Sequence, residues 1–178
     1  ADVFASADTT TMDQLVDAGL ADSDPVEFAT NTLVIAVPPG NPAGITRLAD
    51  LGDEDNTIVV CAPEVPCGHA AVRAAEAAGV TLAADSEEQS VTDVLGKIES
   101  GEADAGLVYV TDVTAAGGKV DGIPFPESDE VVNHYPIVAV DGAAHPDLAR
   151  AWIDLVLGDG RAVLDDAGFG PPGRMSPP

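Results

Sequence analysis

Apolar residues along the chain follow two rhythms, short continuous runs and longer stretches spaced by three and four, and the two alternate. The runs predict strands at Asp2 to Ser6 (Val3, Phe4, Ala5), Asn31 to Val37, Thr57 to Cys61, Asp104 to Val110 and Tyr135 to Val140. A brief apolar run bounded by turn residues suits a strand covered on both faces. The spaced stretches predict helices: Met12, Leu15, Val16 and Gly19 in one, then Ile45 to Leu51, Gly68 to Gly79 and Val91 to Ser100. The last of these carries Val91, Val94, Leu95 and Ile98 on one face. Leu148, Trp152, Leu155 and Val156 line a further helix, and Val163 and Leu164 a short final one. Pro38-Pro39-Gly40-Asn41-Pro42 can only be a turn or extended linker. Strands alternating with helices predict an α/β fold.

Composition narrows the possibilities. At 178 residues and 46% hydrophobic, the chain buries a core of its own, as one large domain or two small lobes. Aromatic residues are only 4%, so that core packs through Ala, Val and Leu. Thirty-one acids against 7 bases give a formal charge of −24, which excludes nucleic acid as a partner and disfavours an anionic membrane surface. Asp13, Asp17, Asp22, Asp24, Asp50, Asp53, Glu54 and Asp55 are scattered and do not alternate as a calcium loop does. They read as a solvating shell suited to a salty medium. No run approaches the ~18 apolar residues of a membrane span. The chain opens on Ala1 without a basic segment before an apolar one, so any signal peptide is expected to have been removed already.

Cys61 and Cys67 enclose Ala-Pro-Glu-Val-Pro. A zinc site wants four ligands, and His69, His134 and His145 do not stand at ligand spacing. The gap is too long for a redox Cys-x-x-Cys. A disulfide is therefore expected, and with it an oxidising compartment.

Three segments put a strand end or helix start where an anion can sit. Strand Thr57–Cys61 leads through Pro66-Cys67-Gly68 into a helix whose first amides lack internal partners. Ser90-Val91-Thr92-Asp93 matches a capping box, which leaves the Val91 amide free. Tyr109 ends a strand with a phenol hydroxyl. Each alone is ordinary structure; together they fall on the edge where open α/β sheets bind ligands. Enzyme readings are weaker. No nucleophile elbow, phosphate loop or His-Glu-x-x-His occurs, and Cys67 and His69, two residues apart at a helix start, would not face each other. No catalytic residue, metal ligand or cofactor is expected.

At these same residues the chain resembles the molybdate-binding proteins of bacterial ABC importers. The likeness runs through Ala1-Asp-Val-Phe-Ala-Ser-Ala-Asp8, Asn31-Thr-Leu-Val-Ile-Ala-Val37, Pro63-Glu-Val-Pro-Cys-Gly68, Gly101 to Asp112, Tyr135-Pro-Ile-Val-Ala-Val140 and Gly168-Phe-Gly170. The resemblance implies a two-lobed, type II periplasmic-binding-protein-like fold with three-layer α/β/α lobes. Lobe I would comprise residues 1–30 and 136–178, and lobe II residues 31–135. The oxyanion, molybdate or tungstate, would sit in the interlobe cleft, held by neutral donors: the backbone amides of Cys67 and Val91 and the hydroxyl of Tyr109. In the family further strands and helices precede the position of Ala1 and carry two more hydroxyl-bearing ligand positions. Lobe I is accordingly expected to be incomplete here, and the whole protein to be monomeric. The resemblance also implies an ABC permease as partner and a periplasmic or extracellular location, free or lipid-anchored. The alternatives are a binding protein for sulfate or another oxyanion, and the ligand-sensing domain of a transcription regulator.

Overall fold

A computed structural model of the protein describes residues 1–173. The chain forms two compact units. One is built from Ala1–Asn31 together with the chain from Asn133 onward, the other from Thr32–Val132. Residues 174–178, the end of the expected first lobe, lie outside the described residues.

The Thr32–Val132 unit holds a five-stranded sheet. Its strands are β3 (Leu33–Val37), β4 (Ile58–Cys61), β5 (Ala84–Glu88), β6 (Ala105–Tyr109) and β7 (Asp121–Ile123), in the order β5-β4-β6-β3-β7. β5, β4 and β6 run parallel, while β3 is antiparallel to both of its neighbours. Every residue of β3, β4 and β6 is buried, as continuous apolar runs require when helices cover a sheet. Helices α2 (Pro66–Ala78), α3 (Val91–Glu99) and α4 (Val110–Ala116) flank it.

Small residues set the helix-to-sheet distance. α2 turns Ala70, Ala71, Ala74 and Ala75 inward. A Cβ on Gly106 of β6 would stand 2.5 Å from the Val59 carbonyl oxygen and 2.8 Å from Val94 on α3. α2 ends on Gly79 at φ 64°, a left-handed cap that glycine adopts without a steric penalty.

The other unit contains a wholly antiparallel sheet, β1-β8-β2, made of β1 (Val3–Ala5), β8 (Asn133–Ala139) and β2 (Val26–Asn31). α1 (Thr9–Asp17) starts at Asp8, whose carboxylate accepts the Thr11 amide at 2.8 Å. α5 (Pro146–Leu157) packs on β8, and α6 (Arg161–Asp166) follows it. The Arg161 guanidinium donates to the carbonyls of Phe28 (2.9 Å) and Gly170 (2.8 Å), which ties α6 to β2.

The α/β class agrees with the pattern of the sequence, and four elements add to it. β2 interleaves polar with apolar residues, and β7 is three residues long with a glycine at its centre. β5, Ala-Asp-Ser-Glu-Glu, is a polar edge strand paired on one side only. α4 begins at Val110, inside the apolar run predicted to continue as strand. The helix predicted from Ile45 is a short 3-10 turn, Leu48–Gly52. Asn41 exchanges two hydrogen bonds with the backbone of Ile45 (2.7 and 3.0 Å), and Asp50 accepts the amides of Thr46 and Arg47, so these groups are taken up before a helix can use them.

Candidate functional site

Parallel strands end on the same side of a sheet, and β5, β4 and β6 are parallel neighbours. Their last residues, Glu88, Cys61 and Tyr109, therefore share one edge of the Thr32–Val132 unit. α3 begins three residues after Glu88, α2 five residues after Cys61, and α4 directly after Tyr109. The topology thus brings Cys67, Val91 and Tyr109 to a single sheet edge, the edge at which ligands of open α/β sheets collect.

Each of the three is positioned by local chemistry. Pro66 opens α2 without a donor of its own, and the first intrahelical bond runs from the His69 amide to the Val65 carbonyl at 2.9 Å. The amides of Cys67 and Gly68 come before it, so the helix itself offers them no acceptor. Gly68 is compulsory here: a Cβ would meet the Ala62 carbonyl oxygen at 1.8 Å. The expected disulfide joins Cys61 to Cys67 with 5.7 Å between Cα atoms, fastening the end of β4 to the start of α2. Both cysteines are buried.

α3 is capped by Ser90, whose Oγ accepts the Asp93 amide at 3.2 Å. Asp93 does turn back, but its carboxylate accepts the Ser90 hydroxyl (2.7 Å) and not the Ser90 amide. The Val91 and Thr92 amides precede the first bonds to the Ser90 carbonyl, from Asp93 (3.2 Å) and Val94 (3.3 Å). Tyr109 is 4% exposed, with its neighbour Val110 donating to the Thr32 carbonyl.

Each of the three proposed donors is itself uncharged, and five cations among the described residues are paired with acids. Arg47, Lys97, Lys119 and Arg150 pair with Asp50, Glu88, Glu99 and Asp22, and Arg161 pairs with Asp165. A carboxylate does lie close: the Tyr109 amide donates to Asp112 Oδ2 at 2.8 Å. Burial pushes the Asp112 carboxyl above its ordinary value, and that amide holds it partly down. This contact was missed from the sequence, although the Tyr109-x-x-Asp112 spacing, an acid three residues past a strand end, signals it.

A separate cavity of about 490 Å³ is lined by Gly44, Thr46, Arg47, Asp50, Asp53 and Asn56. The Asp50 carboxyl there is lowered by the Thr46 amide first, and by Arg47 and the Thr46 hydroxyl in addition. Its acid-rich wall suits an oxyanion poorly. Among the described residues no group of three or more His, Cys, Asp or Glu could hold a metal ion, and no helix is long and apolar enough to cross a membrane.

Residues 1–170 match the family of bacterial extracellular solute-binding proteins, and the chain belongs to that family. It is 49% identical over 173 residues to the molybdate-binding protein ModA of Mycobacterium tuberculosis, a match covering 97% of this chain and 66% of that protein. The chain thus spans about two thirds of the length of this relative. Among solved structures, the periplasmic molybdate-binding protein of Azotobacter vinelandii superposes with a TM-score of 0.76 at 22% identity, over 97% of this chain and 79% of that one. The sulfate-binding protein SubI of Mycobacterium tuberculosis does so with 0.79 at 17% identity, over 96% and 69%. At such identities the superpositions speak for the fold and not for the ligand.

Proposed function

We propose that this protein is the capture component of an importer outside the cytoplasm, binding molybdate, or the nearly isosteric tungstate, and passing it to an ABC permease. One observation carries the reading: two helix-start amides to which their own helices offer no acceptor, and the buried Tyr109, share one sheet edge. Cys67 and Val91 would each donate a backbone N–H to the anion, and Tyr109 its hydroxyl. The 49% identity to a molybdate-binding relative, spread over nearly the whole chain, supports the choice of anion where the fold alone does not. The two units would be the two lobes of such a binding protein, with the Thr32–Val132 unit supplying these three donors.

Uncharged donors reconcile a chain of charge −24 with a dianionic ligand. Helix-start dipoles act at contact distance, and a site shielded from water strengthens them. Distant surface carboxylates are screened within about 8 Å at physiological ionic strength. Selection would then rest on anion size and donor geometry, since the three donors carry no charge.

A second reading is capture of sulfate or another tetrahedral oxyanion, which the same uncharged donors could also hold. Calorimetric titration of the protein with molybdate, tungstate, sulfate and phosphate separates the two. Molybdate and tungstate are expected to bind alike and to exclude the others. A preference for sulfate, or a steep loss of molybdate affinity on adding salt, would overturn the proposal.

A further inference from the structure

We infer that Asp112 is a positioning residue for oxyanion capture: its carboxylate clamps the backbone of Tyr109 and so fixes where the phenol hydroxyl points. The inference rests on the reading of Tyr109 as a ligand donor. Tyr109 stands at a junction of opposed demands, as the last residue of β6, paired with Leu33 of β3, and the residue from which α4 departs. Its φ of −86° and ψ of 157° are extended, while Val110 is already helical. A side chain at such a junction swings widely with small backbone rotations unless the backbone is held on both sides.

The structure holds it on both sides. On the sheet side, the Val110 amide donates to the Thr32 carbonyl at 3.1 Å. On the helix side, the Tyr109 amide leaves the ladder and donates to Asp112 Oδ2 at 2.8 Å, a charge-assisted bond. Asp112 retains this role although burial disfavours its charged form. Merely reaching back to the amide that precedes a helix of seven residues would not call for a desolvated carboxylate, because an uncharged side-chain amide offers an acceptor there with less to lose. A negative charge beside a proposed anion site is a further handicap. Its retention at that place is intelligible if the acceptor serves the geometry of Tyr109.

The test is a double-mutant cycle, read by calorimetric titration with molybdate. Asp112→Ala should weaken binding about tenfold, in the range for losing a hydrogen bond to a charged group. Asp112→Asn, which keeps an acceptor at the same reach without the charge, should stay within about threefold of the parent. In a Tyr109→Phe background, adding Asp112→Ala should change affinity by less than about twofold, because the hydroxyl it positions is gone. If Asp112→Ala does not fold, Asp112→Gln, which displaces the acceptor by one methylene, should show the same loss and the same dependence on Tyr109.

Equal losses in both backgrounds would overturn the inference, as would a folded Asp112→Ala that binds like the parent, or a failure of Asp112→Asn to rescue. A Tyr109→Phe protein with undiminished affinity would instead bring down the reading of Tyr109 itself, and this inference with it.

Discussion

The two units solve the problem of burial differently. Between Thr32 and Val132, one continuous core encloses Leu33, Ile35, Ile58, Ile98 and Leu107, each at most 1% exposed. In the unit formed by the two chain ends, Leu148, Trp152, Leu155 and Val163 stand 47–70% exposed along α5 and α6. Trp152, Leu155 and Val163 border an apolar hollow of about 400 Å³. The proposed donors all lie in the first kind of region. Backbone amides can serve as selective ligands only where packing fixes them to a fraction of an ångström, and the packed unit offers that. What the other unit offers along α5 and α6 is an exposed apolar surface.

The sharpest way to break this contrast is at Gly68. Gly68→Ala forces a Cβ into the Ala62 carbonyl, so urea unfolding should report a loss of about 3 kcal/mol, as overpacking a tight core does. An unchanged midpoint would mean that the start of α2 is not fixed as described. Next in size, Tyr109→Phe should cost about 2 kcal/mol of molybdate affinity with little change in thermal stability. Replacing both Cys61 and Cys67 by Ala should lower stability by about 2 kcal/mol, since a short loop gains less than a long one. Thiol titration of the unfolded, unreduced parent should find no free cysteine.

A smaller effect concerns pH. The Asp112 carboxyl is raised above its ordinary value of 3.8, so the folded state binds that proton more tightly than the unfolded one. Its contribution is therefore full at low pH and is lost as the pH rises from about 4 upward. Thermal melts should show Asp112→Asn gaining on the parent between pH about 4 and neutrality. A constant difference across that range would contradict the burial of Asp112. The smallest effect belongs to the unit formed by the two chain ends: Trp152→Ala should shift stability by no more than about 0.5 kcal/mol, as at other exposed sites. A loss of several kcal/mol would show that this face is covered in solution.

Much of the packed unit was legible in the sequence because its strands are uninterrupted apolar runs and α3 keeps its apolar residues on one face. The cysteine spacing likewise pointed to the disulfide. What escaped were elements whose partners supply the signal. β5 is polar because only one edge of it is paired, and α4 hides inside an apolar run because Asp112, not a loss of hydrophobicity, ends β6. The 3-10 turn at Leu48–Gly52 depends on side-chain bonds from Asn41 and Asp50 that apolar periodicity does not register. Cys67, Val91 and Tyr109 were visible one by one as helix starts and a strand end. They were expected on one edge for that reason, and the parallel order β5-β4-β6, which only the sheet reveals, is what makes the edge common to them.

The central claim is that two backbone amides of the packed unit are ligands. Titrating isotopically labelled protein with molybdate and following amide resonances by NMR tests it directly. The Cys67 and Val91 amide protons should move downfield together, by more than those of any other helix start, and saturate at the stoichiometry found by calorimetry. Saturable molybdate binding that leaves both resonances unmoved, with the largest shifts elsewhere in the chain, would contradict the account.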